Sequence, residues 1–368
     1  MKTLNLFSFL KSFYGNINNR NFFLRRNVII IFSAFITVIM LTAFFSACKS
    51  DAVGPSYTYK YDFNVWYYSD SHYFTDTVYT SYYDVVMKDM TGGAGLPQYI
   101  KDNRIKITSP DLEIWVQCDN TEPSKRDALA CIQLWDTGSS VYDTIIINQQ
   151  IAGMKFFGYF RKLMPSEYYV FEYAGFIGIK ISVPDIYSAG ITYTTAAGKK
   201  YGKGEYGSAP GDTLILKMFK CADQSPDQTP LAWKLKMKNV YKLFGERIPQ
   251  TGFNLILRAI ENLNSGLEYI KMIPASGGPK SLMEITSIDR FTNPTSNPPP
   301  DGLIDLIEGK TYMSETMDLI MPTLRPFSDD LMAAGVDTNY CFPEIYNTRK
   351  LYVQTLYKTV YFIFTAYW

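Results

Sequence analysis

The sequence is poor in the residues on which many enzyme and metal sites depend. It has one histidine, His72, in 368 residues, so a cluster of histidine ligands cannot form within the chain and a Ser-His-Asp triad would have to use it. His72 stands in a stretch rich in serine and tyrosine, and we expect it to face solvent. Gly202-Lys203-Gly204 lacks the helix that follows a phosphate-binding loop. We therefore expect no catalytic activity, no cofactor and no small-molecule substrate.

An excess of charge of one sign is also lacking. Lysine and arginine number 36 against 35 aspartate and glutamate residues, for a formal net charge of +1. Proteins that bind nucleic acid usually carry a strongly basic surface that attracts phosphate. The composition therefore predicts no nucleic-acid partner, whereas the length allows a large buried core.

The N-terminus has the order of charge and hydrophobicity of a secretory signal. Basic residues between Lys2 and Arg26 precede an uninterrupted apolar run from Val28 to Phe45. The run ends in Phe45-Ser-Ala-Cys48, and small residues before a cysteine suit the lipoprotein signal peptidase. Cys48 is thus the predicted lipidation site and first mature residue, and 1–48 the signal segment. An uncleaved membrane helix is the alternative, because about 18 apolar residues can span a bilayer.

A lipid on Cys48 would make the membrane itself a partner of the chain. Each buried methylene contributes about 0.8 kcal/mol, so two or more acyl chains hold a protein at the membrane durably. We therefore expect a location in the bacterial cell envelope, associated with the outer membrane on its periplasmic side or at the cell surface.

Aromatic residues are abundant and fall in alternating segments. The chain has 29 tyrosines and 24 phenylalanines, and a period of two, typical of strands, runs from Tyr57 to Tyr67 and through Leu112–Cys118. Ile191–Thr195 and Lys200–Tyr206 predict a hairpin. The expected fold is mainly β: an antiparallel sheet or sandwich module with a few short helices, preceded by the hydrophobic signal or anchor helix.

Changes in composition divide the mature chain into three parts. The glycine-rich Thr91–Pro97 predicts a linker, so Tyr-rich leading strands and this linker occupy 49–100. A β-rich module occupies 101–350, and an aromatic segment occupies 351–368. The two aromatic ends either supply edge strands to a partner's sheet or close the protein's own sheet.

Four cysteines remain beyond Cys48 and allow two disulfides in three connectivities. Cys118 and Cys131 fall on what the pattern predicts to be neighbouring strands, so they form the preferred pair. Buried free thiols are the alternative.

Three acidic residues lie close to Gly302 in the sequence and suggest a calcium site. Asp301, Asp305 and Glu308 supply the hard oxygen ligands that calcium prefers, but their spacing is not that of an EF-hand loop. A solvated turn is the alternative, and we expect no metal.

Nine segments follow one another in the order in which similar segments occur in a known family. They are Asp111–Gln117, Lys125–Cys131, Gly175–Lys180, Ile191–Tyr193, Gly198–Glu205, Leu231–Tyr241, Pro300–Gly309, Leu324–Phe327 and Phe342–Tyr346. Together they resemble the N-terminal repeat region of the SprA-type outer-membrane translocons of gliding motility and type IX secretion. The resemblance covers roughly residues 104–350, so the β-rich module is SprA-like. Its most specific pieces are Trp-x-Leu-x-Met-Lys-Asn-Val-Tyr and Pro-Asp-Gly-x-x-Asp-x-Ile-Glu-Gly.

The resemblance implies a role in moving folded proteins across the outer membrane or displaying adhesins at the surface. Family members form a giant β-barrel with plug and shuttle partners, whereas this chain is several times shorter and carries a lipid-anchor signal. We therefore expect an accessory or divergent stand-alone module with envelope protein partners. The alternative is a surface glycan- or protein-binding lipoprotein, with Trp66, Trp115 and Trp135 as possible sugar platforms.

Overall fold

Strands dominate the fold, and the helices between them are short. The computed structural model describes residues 60–89, 95–101, 106–132, 155–206, 208–243, 254–263, 266–270, 272–290, 300, 302–356 and 360–367. The signal segment and Cys48 lie outside these residues. Tyr57–Trp368 form one compact unit. None of the helices in the described part of the chain combines the length and apolarity needed to cross a bilayer.

The mainly β class with a few short helices is confirmed. The described strands are β1 Lys60–Asn64, β2 His72–Phe74, β3 Ile107–Gln117, β4 Arg126–Cys131, β5 Lys155–Lys162, β6 Tyr168–Phe171, β7 Phe176–Ile179, β8 Ala189–Thr195, β9 Lys200–Tyr201, β10 Leu214–Lys220, β11 Val240–Lys242, β12 Asn254–Leu263, β13 Gly266–Ile270, β14 Tyr312–Met313, β15 Asp318–Ile320 and β16 Val360–Tyr367. The described helices are α1 Tyr83–Lys88, α2 Gln98–Lys101, α3 Pro230–Leu235, α4 Leu282–Ile285, α5 Asp329–Ala333, α6 Glu344–Asn347 and α7 Lys350–Thr355.

The largest sheet closes on itself as a small barrel. Its strands follow the order β4-β5-β3-β8-β10, and β10 pairs with both β8 and β4, while β9 continues from β8 as the predicted hairpin. The β10–β4 pairing is parallel and the others are antiparallel. Register shifts in β3 and β10 mark the bends that closure needs. Gly190 lets β8 and β10 approach each other closely, because a Cβ at this position would lie 2.7 Å from Leu216 Cβ on β10.

The barrel interior is mostly apolar, and Glu113, described below, is a buried charged residue on the same face as Trp115. Alternate residues of the strands point inward and form one buried cluster, whose largest members are Trp115 and Phe160, both 0% exposed. Alanines Ala128 and Ala130 on β4 leave room for these rings. Strands β3, β8 and β10 also bury residues on their opposite face, and these form part of the second core described next.

A three-stranded sheet, β2-β7-β6, covers one outer side of the barrel. Ile114, Ile191 and Phe219 from the barrel share a core with Phe74 of β2 and Phe176 of β7. Helix α1 completes this core with buried aromatic and aliphatic side chains. Its tyrosine, Tyr83, donates its hydroxyl to the carbonyl of Met321 at 2.8 Å.

The aromatic ends of the chain meet in one sheet of order β1-β16-β12-β13. β1 pairs antiparallel with β16, and β16 pairs antiparallel with β12 from the central part of the chain. The two ends therefore close the protein's own sheet, one of the two alternatives that the sequence left open. Phe63 stacks on Phe364 with ring centroids 5.0 Å apart.

A third small sheet, β11-β15-β14, separates two cores. Val240 and Ile320 face the core beside the barrel, whereas Tyr241 and Leu319 face the core of the β1–β16 sheet. The segment from Trp233 to Leu243, which fits helix or strand by pattern, contains both: α3 ends at Leu235 and β11 begins at Val240.

The buried carboxylate of Glu113, on β3, connects this strand to the segment that follows β9. Glu113 is 3% exposed and accepts hydrogen bonds from Trp115 Nε1 at 3.1 Å, Lys162 Nζ at 2.8 Å, and the backbone N–H groups of Glu205 at 2.9 Å and Tyr206 at 3.1 Å. Burial alone would raise the pKa of Glu113, but these donors hold it below its ordinary value.

Candidate functional site

Cys118 and Cys131 are free thiols in the structure. They do not lie on neighbouring strands as expected, because β5 stands between β3 and β4. Strands two apart in a sheet are separated by about 10 Å, whereas the Cα atoms of a disulfide lie within about 7 Å. The cysteines are also offset along β5: the Cys118 N–H donates to the carbonyl of Tyr159, while Cys131 pairs with Lys155.

Cys118 lies instead in an open cleft of about 280 Å³ beside the barrel. Three separate stretches form it: the end of β3 with the turn that follows, the outer face of β5, and the segment before β8. Its lining residues are Val116, Gln117, Cys118, Asp119, Thr121, Glu122, Pro123, Arg161, Ile181, Ser182, Pro184 and Tyr187. Burial is the main cause that raises the pKa of the Cys118 thiol, followed by Glu122. The thiol therefore stays protonated at neutral pH.

Hydrogen bonds fix the walls of the cleft against each other. The Tyr187 hydroxyl donates to Asp119 Oδ1 at 2.9 Å, and the Ser188 N–H donates to Gln117 Oε1 at 2.9 Å. Arg161 makes a two-pronged ion pair with Glu167, with both N–O distances at 3.0 Å. Hydrogen bonding from Arg161 lowers the pKa of the Glu167 carboxyl.

A buried lysine holds the wall that contains Tyr187. Lys220, 3% exposed, donates from Nζ to the carbonyls of Pro184 at 3.0 Å and Asp185 at 3.2 Å, and also to that of Tyr187. Three carbonyls that converge on one ammonium group fix the turn at this position. Burial lowers the pKa of Lys220 from its ordinary 10.5 to about 8.

We expect the stability difference between the wild type and Lys220→Met to depend on pH. Between pH 8 and 10.5 the unfolded chain binds the Lys220 proton more tightly than the folded chain. The free energy of unfolding of the wild type therefore rises with pH relative to the variant, by about 2 kcal/mol between pH ~7 and pH ~10. Denaturant titrations of both proteins at several pH values measure it, and a constant difference would contradict this account of Lys220.

The prediction that His72 faces solvent is wrong, because His72 is 1% exposed in the structure. Its Nε2 lies 2.6 Å from the Tyr169 hydroxyl and 3.3 Å from Asp318 Oδ2, and Nδ1 lies 2.8 Å from Ser69 Oγ. Tyr169 in turn donates to Asp318 at 3.1 Å. All three residues of β2 are buried, so the strand carries no alternation that would have revealed the inward histidine.

This network connects β2 and β6 with β15, which belongs to a different sheet. Burial alone would raise the pKa of Asp318, but the hydrogen bond and charge of His72 hold it below its ordinary value. The hydroxyl of Ser69 lies on Nδ1 and also accepts the Ser71 N–H at 3.2 Å, while the carboxylate lies on Nε2. In a Ser-His-Asp catalytic triad the serine lies at Nε2 and the carboxylate at Nδ1, which is the reverse of the arrangement around His72. The arrangement therefore acts as a polar connection between sheets.

The acidic residues near Gly302 cap backbone groups. Asp305 Oδ2 accepts the Arg290 N–H at 2.6 Å, and both oxygens of Glu308 accept the Ser314 N–H. Asp301 lies outside the described residues. Across the described ranges, no three histidine, cysteine, aspartate or glutamate side chains come together as metal ligands would.

The tryptophans named as possible sugar platforms have other places in the fold. Trp115 is buried inside the barrel. Trp66 is half-buried and makes edge-on contacts with Phe342 and Tyr361 at 6.0 and 5.9 Å. Trp135 lies outside the described residues.

Fold and site together describe a mainly β protein with a closed small barrel and an open polar cleft at its side. Comparisons with protein-family models and with characterised proteins found no match to this chain.

Proposed function

We propose that this chain is a non-catalytic, lipid-anchored protein of the bacterial cell envelope, associated with the outer membrane. It binds other envelope proteins as an accessory module of a SprA-type secretion or gliding-motility assembly. The signal segment ending at Cys48 supports the anchor, and the ordered segments of the SprA-like module support the kinship.

The observation that carries this proposal is that segments distant in the sequence, each quoted for the resemblance, contact one another. Trp233 Nε1 donates to the carbonyl of Tyr346 at 2.9 Å, and the Tyr346 hydroxyl accepts the Phe327 N–H at 3.1 Å. The Phe342 N–H donates to the carbonyl of Phe327 at 2.7 Å. The guanidinium of Arg325 lies 5.0 Å from the Tyr346 ring.

The Lys-Asn pair of the Trp-x-Leu-x-Met-Lys-Asn-Val-Tyr segment has a role in the same network. Lys238 Nζ donates to the carbonyls of Trp233 and Lys236 at 2.9 Å and lies 4.3 Å from the Trp233 ring. Asn239, 0% exposed, donates to the carbonyl of Thr323 at 2.8 Å. The quoted segments therefore form one packed network in this chain, which supports treating them as one unit.

The anchor is tested by fractionating cells that express the wild type or Cys48→Ser. Serine cannot take the thioether-linked diacylglycerol, so we expect the wild type with the membranes and the variant to lose its lipid. Cys118→Ser is the matched control and should fractionate like the wild type. A lipid-free wild type, or a Cys48→Ser variant that keeps a lipid, would contradict the lipoprotein assignment.

A further inference from the structure

The cleft beside Cys118 offers polar groups that the protein itself leaves free. In the described part of the chain Asp119 uses Oδ1 for Tyr187, and its Oδ2 has no partner. The hydroxyls of Thr121 and Ser182, both exposed, likewise make no hydrogen bond to the described residues. Gln117 uses its carbonyl oxygen for the Ser188 N–H and keeps its amide N–H groups to donate.

These groups suit a ligand that both donates and accepts hydrogen bonds. A carboxylate only accepts, an amide NH₂ only donates, and hydroxyls do both, so together they match a molecule made of hydroxyl groups. Pro123, Pro184 and Tyr187, whose rings are largely apolar, also line the cleft. The C–H faces of a sugar ring pack on such surfaces while its hydroxyls reach polar side chains.

The size of the cleft and the charged groups around it further restrict the class of ligand. The open cleft, with a volume of about 280 Å³, has room for a single sugar ring. The carboxylates of Asp119 and Glu122 are opposed by Arg161 and Lys125, and all four act on the Cys118 thiol. Because Arg161 is already paired with Glu167, the preference for a neutral ligand rests on its hydroxyls, which satisfy the free donors of the cleft as well as its free acceptors.

We propose that this cleft binds a neutral sugar unit of a glycan, with Asp119 and Gln117 hydrogen-bonding its hydroxyls and Tyr187 packing on its ring. The turn that carries Tyr187 is already fixed by Lys220, so little ordering is needed on binding. This site is independent of the secretion role, and a failure of either leaves the other standing.

Cys118 provides a reporter inside the site, because it is half-buried while Cys131, Cys221 and Cys341 are buried. The full-length protein is treated with N-ethylmaleimide with and without millimolar glucose, galactose, mannose, N-acetylglucosamine, maltose or cellobiose. Mass spectrometry follows alkylation of the Cys118 peptide. We expect at least one of these sugars to slow the alkylation of Cys118 by about tenfold and saturably.

Matched variants assign the protection to the cleft. Asp119→Ala removes the free acceptor and should lower the affinity for the protecting sugar by about tenfold or more. Asp227→Ala changes an exposed carboxylate outside the cleft and should leave protection unchanged.

Three results would overturn the assignment. The first is that no sugar in the panel slows the alkylation of Cys118. The second is that protection is equally strong in Asp119→Ala. The third is that lysine methyl ester protects Cys118 while the sugars do not, which would make the cleft a site for a basic side chain.

Discussion

Replacing Glu113 by alanine should destabilise the protein by about 3 kcal/mol, because the change leaves buried donors without an acceptor. Trp115 Nε1 and the N–H groups of Glu205 and Tyr206 all lose their partner. Lys162 is 41% exposed and can turn to water, so its share of the cost is small. Chemical denaturation of wild type and variant at neutral pH measures the difference.

A surface carboxylate provides the control for Glu113→Ala. Glu315 is 66% exposed and pairs with Lys180 at 2.7 Å, so Glu315→Ala should cost less than about 1 kcal/mol. Because the folded-state pKa of Glu113 lies below 4.5, its contribution is present above that pH and is lost as the pH falls through the folded-state value. Equal effects of the two substitutions would show that Glu113 does not support the barrel.

Removing the His72 imidazole should cost about 3 kcal/mol, whereas a solvent-facing histidine would cost less than about 0.5 kcal/mol. The loss combines a cavity with the broken contacts to Tyr169 and Asp318. A double-mutant cycle of His72→Ala and Asp318→Ala isolates the contact between the two. We expect a coupling of about 1–3 kcal/mol, since the two side chains belong to one buried network.

The cycle also distinguishes a shared network from two separate packing defects. Tyr169→Phe removes only the hydroxyl that joins His72 to Asp318, and it should reduce the coupling while keeping the ring in place. The network would be contradicted if the losses of unfolding free energy in the two single mutants added up, to within about 0.5 kcal/mol, to the loss in the double mutant.

Local patterns were sufficient to predict several strands and turns. The hairpin of β8 and β9 was predicted from alternation and a turn glycine, and Gly198 does have a φ of +79°. The same reasoning predicted β3 from the alternation through Leu112–Cys118. Each of these depends on residues close in sequence, where period and turn chemistry are informative.

Long-range arrangement was not accessible from these patterns. Closure of the barrel depends on parallel pairing between β4 and β10, which are far apart in the chain. The expected neighbourhood of Cys118 and Cys131 was wrong because β5, which follows later in the sequence, enters between their strands.

The cleft shows the same limit for function. Asp119, Arg161 and Tyr187 come from three separate segments and have no motif spacing, so only the folded chain brings them together. Glu113 gave no signal either, because a carboxylate in an alternating strand is ordinarily assigned to the solvent side. In the structure that side is the packed interior of the barrel, where Trp115 also lies.

The most direct test of a lipid-anchored, partner-binding envelope protein is affinity purification of the wild type from its own cell envelope at native expression, followed by mass spectrometry. We predict an N-terminal peptide that begins at Cys48 and carries diacylglycerol and an acyl chain, together with co-purifying components of a secretion or motility machinery. An unprocessed N-terminus on a protein that purifies without partners would contradict the proposed function.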